Sequence, residues 1–236
     1  MGNDGLVGDT SPVLSLCREL SAAKVRLQCF PGKSSPHTGN GLEFATGDWY
    51  PTEATWRIYF PSGCHAHQVY HELLHVQLRS IRKSGIMVAQ AGTDLDLQRN
   101  VEELNNDFDH AHVVPLEIAV YPEAAEYWAR DFERRFREVH ESCSDPLGLA
   151  QRRLDLLRGW LVLPIAIPKA KVTQSYRAAL QNHGWLSEAD EMTNKVQAAG
   201  ANRAAAVQAF RESLAVDFLP ACAIRFATLQ GAAQTR

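Results

Sequence analysis

His71 and His75 stand four residues apart in "QVYHELLHVQL" (Gln68 to Leu78), and Glu72 directly follows the first of them. A helix turns by about 100° per residue, so positions i and i+4 share a face and two imidazoles placed there can converge on one cation. The adjacent carboxylate lies off that pair but within reach of a water held beside it. This order of residue types suits hydrolysis: two nitrogen donors for a zinc ion and one carboxylate to take the proton of a water molecule. The competing reading is an amphipathic helix in which the histidines are incidental. Val69, Tyr70, Leu73, Leu74 and Val76 form an apolar arc opposite the two histidines, giving the segment a core side and a second, chemically distinct side.

Catalytic zinc takes three protein ligands and keeps one position open. The third is sought in "VEELNNDFDHAHVVP", where Val101, Leu104, Phe108 and Ala111 recur at helical spacing as a buried stripe. The face opposite that stripe carries Glu102, Asn106 and His110 at i, i+4 and i+8. By analogy with the first helix, whose histidines also lie opposite its apolar arc, His110 is the expected third ligand. Glu102 comes next and Asp109 third, ahead of His112 and Asp107; Asn106 or Asp109 could instead orient an imidazole.

"WRIYFPSG" followed by "HQVYHELLHVQL" resembles the strand and active-site helix of the HExxH zinc metallopeptidases, the zincin superfamily. The likeness runs from Thr55 to about Pro115. It implies a strand edge that holds a substrate chain extended, His71 and His75 as Zn²⁺ ligands, Glu72 as general base, and a peptide or protein substrate. No family within the superfamily is singled out. After His75 the chain reads "VQLRSIRK", without the H-x-x-G-x-x-H continuation of the metzincins, and the second helix lacks the Asn-Glu pair of thermolysin-like enzymes.

Other motifs are weaker. "CHAH" (Cys64 to His67) could line a metal site or cap the helix that follows, and capping is the favoured reading. Tyr121 could donate to an oxyanion or be a packed tyrosine. Gly32-Lys33-Ser34 is not a phosphate loop, because Leu27 stands where that pattern needs glycine. No G-x-S-x-G nucleophile elbow is present.

Composition narrows the field further. The chain has 236 residues, 45% of them hydrophobic, enough for one well-filled core or two small ones. A net charge of −3 offers no basic field for nucleic acid. The five cysteines are scattered, without a CxxC pair, and argue against both a zinc ribbon and a disulfide framework. "MGNDGLVGDTSP" reads as neither a signal peptide nor a myristoylation site, and "WLVLPIAIP" is too short and too rich in proline to span a bilayer. A reduced, cytoplasmic, soluble protein with no membrane or nucleic-acid partner is expected. The oligomeric state is not legible.

The elements that must position these residues follow from local pattern. Ser11 ahead of Pro12 marks a helix start. "VRLQCF", "LEFAT" and "ATWRIYF" read as strands, the last two separated by the turn-rich "GDWYPTE". Helices are expected over 96–113, 123–141, 146–161, 171–183 and 187–219, the last broken near Gly200. The aromatic and leucine stripes of these helices (Tyr127, Trp128, Phe132, Phe136; Leu154, Leu157, Leu161) read as core. Strands early and helices late make an α+β class, mostly helical. With the resemblance, this becomes a zincin-like core with a small N-terminal sheet, the HExxH helix and a helical C-terminal half. Residues 1–145 would form the metal-binding core and 146–236 a helical subdomain packed on it; one domain throughout is the alternative. The function expected is zinc-dependent peptide hydrolysis. The rival is a catalytically degenerate zincin-like module that binds zinc and serves in protein binding or regulation, and a third reading is a helical protein without metal.

Overall fold

A computed structural model describes residues 6–36, 44–140, 146–214, 218–220 and 224–227. The chain divides into two compact units, one running to Lys83 and the other spanning Ser84–Ala227.

The first unit contains α1 (Ser11–Ala22), β1 (Arg26–Pro31), β2 (Thr46–Tyr50), β3 (Thr55–Phe60) and α2 (Ala66–Ser80). Thr10, not Ser11, takes the N-cap of α1, and Asp9 Oδ1 accepts the Ser11 N–H at 2.9 Å. Pro12 is tolerated because an N–H in the first turn has no helical acceptor to lose. Val13, Leu16 and Leu20 form the buried stripe of α1.

The sheet order is β1-β3-β2, with β3 parallel to β1 and antiparallel to β2. This corrects two expectations. The strand preceding the HELLH helix is the central one, so both of its edges are taken and it cannot align a substrate by strand addition. Its side chains are buried on both faces, Arg57 alone being half-exposed, as befits a middle strand. The second strand does not lie on "LEFAT" either. Leu42 and Glu43 fall outside the described residues, and β2 begins at Thr46 and runs through Asp48, Trp49 and Tyr50, which read as a turn. Pairing explains the shift: Trp49 stands opposite Trp56 and Tyr50 opposite Thr55, so two good strand formers find cross-strand partners. The reversal itself is confined to Pro51–Ala54, where Ala54 adopts φ 48°.

The start of α2 is tied down from both sides. Val7 accepts the Ala66 N–H at 2.8 Å and donates to the Cys64 carbonyl at 2.9 Å. His65 is the N-cap, and its own N–H donates to Gln68 Oε1 at 3.1 Å. At the far end the Trp56 indole N–H reaches Ser80 Oγ at 2.8 Å, and Gln77 Nε2 reaches Glu19 Oε1 at 2.6 Å. The helix is thereby fixed to β3 and to α1.

The second unit runs β4 (Ile86–Ala89), α3 (Leu95–Val120), α4 (Ala124–His140), α5 (Pro146–Trp160), α6 (Leu163–Ala166), α7 (Lys171–Asn182), α8 (Leu186–Ala199), α9 (Arg203–Glu212) and β5 (Ile224–Ala227). The helices match the sequence pattern in order and position, with the break at Gly200 in place, except that the last one ends at Glu212 and does not run to position 219. Trp128, Phe132, Leu154, Leu157 and Leu161 are buried, whereas Tyr127 and Phe136 are half-buried. α5 approaches α7 at Gly159, where a Cβ would lie 2.3 Å from the Tyr176 ring.

Two larger features also depart from expectation. The first is α3, which does not stop at Val113 but continues through Pro115 to Val120. Proline has no N–H to give the carbonyl four residues back. That carbonyl, Ala111 O, accepts from Gln197 Nε2 of α8 at 2.9 Å instead. The second is a small antiparallel sheet, β4 with β5, formed by segments far apart in sequence. Asn105 holds it to α3, accepting the Met87 N–H and donating to the Met87 carbonyl, each at 2.8 Å.

The architecture is α+β and mostly helical. Among the described residues no helix is long and apolar enough to cross a membrane. The "LQGAAQTR" tail and most of "SCSDPLG" lie outside the described residues.

Candidate metal centre

α2 brings His71 and His75 together as their spacing requires. Their Nε2 atoms are 3.1 Å apart, the ring centroids 4.8 Å apart and the planes at 72°. A tetrahedral ion with nitrogens at 2.0–2.1 Å would set neighbouring ligand atoms about 3.3 Å apart, so the pair already spans one edge of such a site. α3 supplies His110. Each of the three histidines offers one nitrogen, and the three nitrogens lie within 4.8 Å of one another. Among the described residues this is the one group of three or more His, Cys, Asp or Glu side chains so gathered. All three rings are buried, 5–8% exposed. The donor set fits a metal ion: the atoms are of one kind, close enough to share a cation, and borne on helices that fix their directions.

The helices explain why these rings hold their places. On the side of α2 that carries them the histidines are buried, with Gln68 and Glu72 half-buried beside them, and Tyr70 alone within the apolar arc is half-buried. On α3 the His110 ring packs edge-on against the Trp128 indole, centroids 5.0 Å apart at 68°. Trp128 is in turn anchored by its N–H, which donates to Glu117 Oε2 at 2.8 Å. Glu117 is itself buried and lies seven residues after His110, two helical turns along the same face.

The other candidates on α3 are disposed of by burial and pairing. Asp109 is fully buried against Arg203, whose guanidinium also donates to the Gly85 carbonyl at 2.9 Å. Asp107 accepts from Arg158 at 2.5 Å and lies 3.6 Å from Arg135; burial pushes its carboxyl up, against the pull of the two guanidiniums. Glu102 and Asn106 are exposed, and His112 is half-buried and outside the triad. The face argument therefore singled out the histidine that joins the triad on an incomplete premise. A stripe from i to i+8 rises about 12 Å along a helix, and here it starts in solvent and ends where α3, from Asp107 to Ala111, is buried all round.

Glu72 is half-buried, and its Oε2 accepts the backbone N–H of Gly47 at 2.9 Å. The helix thus presents two ring nitrogens and, one residue on, a carboxylate gripped by β2. "CHAH" acts as a cap: Cys64 donates to Gln68 Oε1 at 3.0 Å, burial pushes its thiol up to about 11, and among the described residues neither it nor His65 nor His67 enters a metal-holding group. Tyr121 is buried and ends α3, its N–H on the Glu117 carbonyl at 2.7 Å.

Gly47, Glu117 and Trp128 escaped the sequence reading as site residues. The i+7 spacing of Glu117 from His110 was a usable signal. Gly47 offered none, since its contact depends on strand placement. Comparison with known proteins finds no matching family model, no matching curated protein and no matching solved structure.

Proposed function

We propose that the protein is a zinc-dependent hydrolase with a zincin-like core, cleaving peptide bonds by activation of water. The observation that carries this reading is the buried triad of His71, His75 and His110, nitrogens within 4.8 Å, with Glu72 adjacent on α2. Three imidazoles without a thiolate suit a borderline ion such as zinc better than the hard cations that oxygen ligands select. A bound zinc ion would supply Lewis acidity, lowering the pKa of water and polarising the scissile carbonyl.

The chain's own groups would do the rest. His71 and His75, held one turn apart, and His110, braced by Trp128, would hold the ion. Glu72 would take the proton of the attacking water and return it to the leaving amine, a transfer of the kind that contributes about 10²–10⁴-fold to rate. An extended substrate would need a free strand edge, which β3 lacks; among the described residues β1 and β2 are the outer strands of the sheet.

Elemental analysis of the purified chain, followed by Glu72→Gln, tests the reading. One zinc per chain, retained in the variant while hydrolysis of a peptide library falls by about 10²-fold or more, is the expected result. Zinc in both proteins with hydrolysis in neither would point to a zinc-binding module without turnover. A chain that takes up no zinc would remove both readings.

A further inference from the structure

Gly47 does two things for Glu72, and the second of them only glycine can do. It stands opposite Ile58 in the register of β2 with β3, yet its N–H goes to Glu72 Oε2 at 2.9 Å, so this donor serves the helix and not the ladder. Its lack of a side chain matters equally. An added Cβ would lie 2.9 Å from that same oxygen, 3.7 Å from Glu72 Cβ and 3.2 Å from Ile58 Cδ1. The φ of Gly47 is outside the left-handed region, so glycine is required there for space and not for backbone freedom.

We propose that Gly47 is a positioning residue for Glu72. Its N–H holds Oε2, its bare Cα admits the carboxylate against the strand, and Oε1 becomes the oxygen turned to proton transfer. No hydrogen bond engages Oε1 among the described residues. A glutamate on a helix surface otherwise samples several rotamers, and a general base must lie within hydrogen-bond reach of the proton it takes. A backbone N–H on a paired strand is a fixed anchor, so the orientation is set before any substrate arrives. The proposal rests on Glu72 acting as the base; the clamp itself is a matter of geometry and can be tested without turnover.

The test is a double-mutant cycle on the full chain: Gly47→Ala, Glu72→Ala and the two together. Melting temperatures are read both in EDTA and with equimolar Zn²⁺. With the carboxylate present, Gly47→Ala should lower Tm by about 4 °C. With Glu72 already replaced, the loss should shrink to less than half, because the close approach to Oε2 is gone and only Ile58 Cδ1 remains as a tight neighbour. Equal losses in the two backgrounds would overturn the clamp, leaving Gly47 a mere packing glycine. Where the wild type hydrolyses a peptide, Gly47→Ala should lower kcat about tenfold with zinc content and KM held; a raised KM with kcat unchanged would count against it. Should Gly47→Ala fail to fold, ¹⁵N-labelled wild type and Glu72→Gln supply the answer. The Gly47 amide proton should move upfield when the charged acceptor is lost, and an unmoved resonance would sink the proposal. Coupling without hydrolysis in any protein would retain the clamp and remove the hydrolase reading; hydrolysis without coupling would do the reverse.

Discussion

Two buried polar clusters in this protein are built on opposite principles. Around Asp107 the chain pairs unlike charges: Arg158 at 2.5 Å and Arg135 at 3.6 Å meet the carboxylate, while Glu103 and Asp131 take the remaining guanidinium donors at 3.0 and 2.8 Å. The cluster borders a cavity of about 390 Å³ among helices of the second unit, and each guanidinium there meets carboxylates. The histidine triad instead gathers three groups of one kind. The Nε2 atoms of His71 and His75 approach to 3.1 Å, within hydrogen-bond reach of each other. Pairing of opposites is how a fold buries charge for itself; a gathering of like nitrogen donors is a group that could hold a metal ion.

That contrast can be broken, and the largest effect is expected at the triad. His71→Ala, and separately His110→Ala, should weaken zinc binding by more than about 100-fold, the upper range for losing a mere supporting residue. Titration against a competing chelator measures it, and the zinc-induced rise in Tm should vanish together with the affinity. Undiminished affinity in His110→Ala would remove that residue from the site.

At the ion-pair cluster the loss should fall on stability and spare the metal. Arg158→Ala leaves the buried Asp107 carboxylate with only the more distant Arg135, for which urea unfolding should show a loss of about 3 kcal/mol, with zinc stoichiometry unchanged. Asp107→Leu combined with Arg158→Met should recover most of that loss, since an apolar pair needs no counter-charge. A double variant no better than the single one would show that the pair has value beyond self-neutralisation.

A smaller effect links the two kinds of construction. Trp128→Phe keeps an aromatic ring beside His110 but removes the N–H that Glu117 accepts. Zinc affinity should fall about tenfold, and stability by about 1–2 kcal/mol for the lost buried hydrogen bond. The smallest change is one of reactivity. Burial pushes Cys29 up to about 12 and Cys64 up to about 11, so neither thiol forms appreciable thiolate near neutral pH. Peptide mapping after iodoacetamide at pH 8 should find both unlabelled in the native chain and both labelled in urea.

Much of this was legible from local pattern. The helical spacing of Leu154, Leu157 and Leu161, and the glycine at position 200, announced their elements because they act within a few residues. Misreadings arose where distant groups intervened. The helix expected over 96–113 runs on through Pro115, where Gln197 supplies the donor that the helix lacks. "GDWY" looked like a turn until Trp56 and Thr55 paired with it. β4 and β5 have no local signature strong enough to announce a two-stranded sheet, which forms only when residues more than a hundred positions apart meet.

The chain by itself determined that His71 and His75 share one face with Glu72 beside them, because helix geometry sets that relation at a spacing of four and needs nothing from elsewhere. Only the tertiary structure decided that His110, among five polar candidates on one helix, joins them, and that Gly47 grips Glu72. Those contacts depend on how far a helix is buried and where a strand lies against it, and neither is written in any short run of residues.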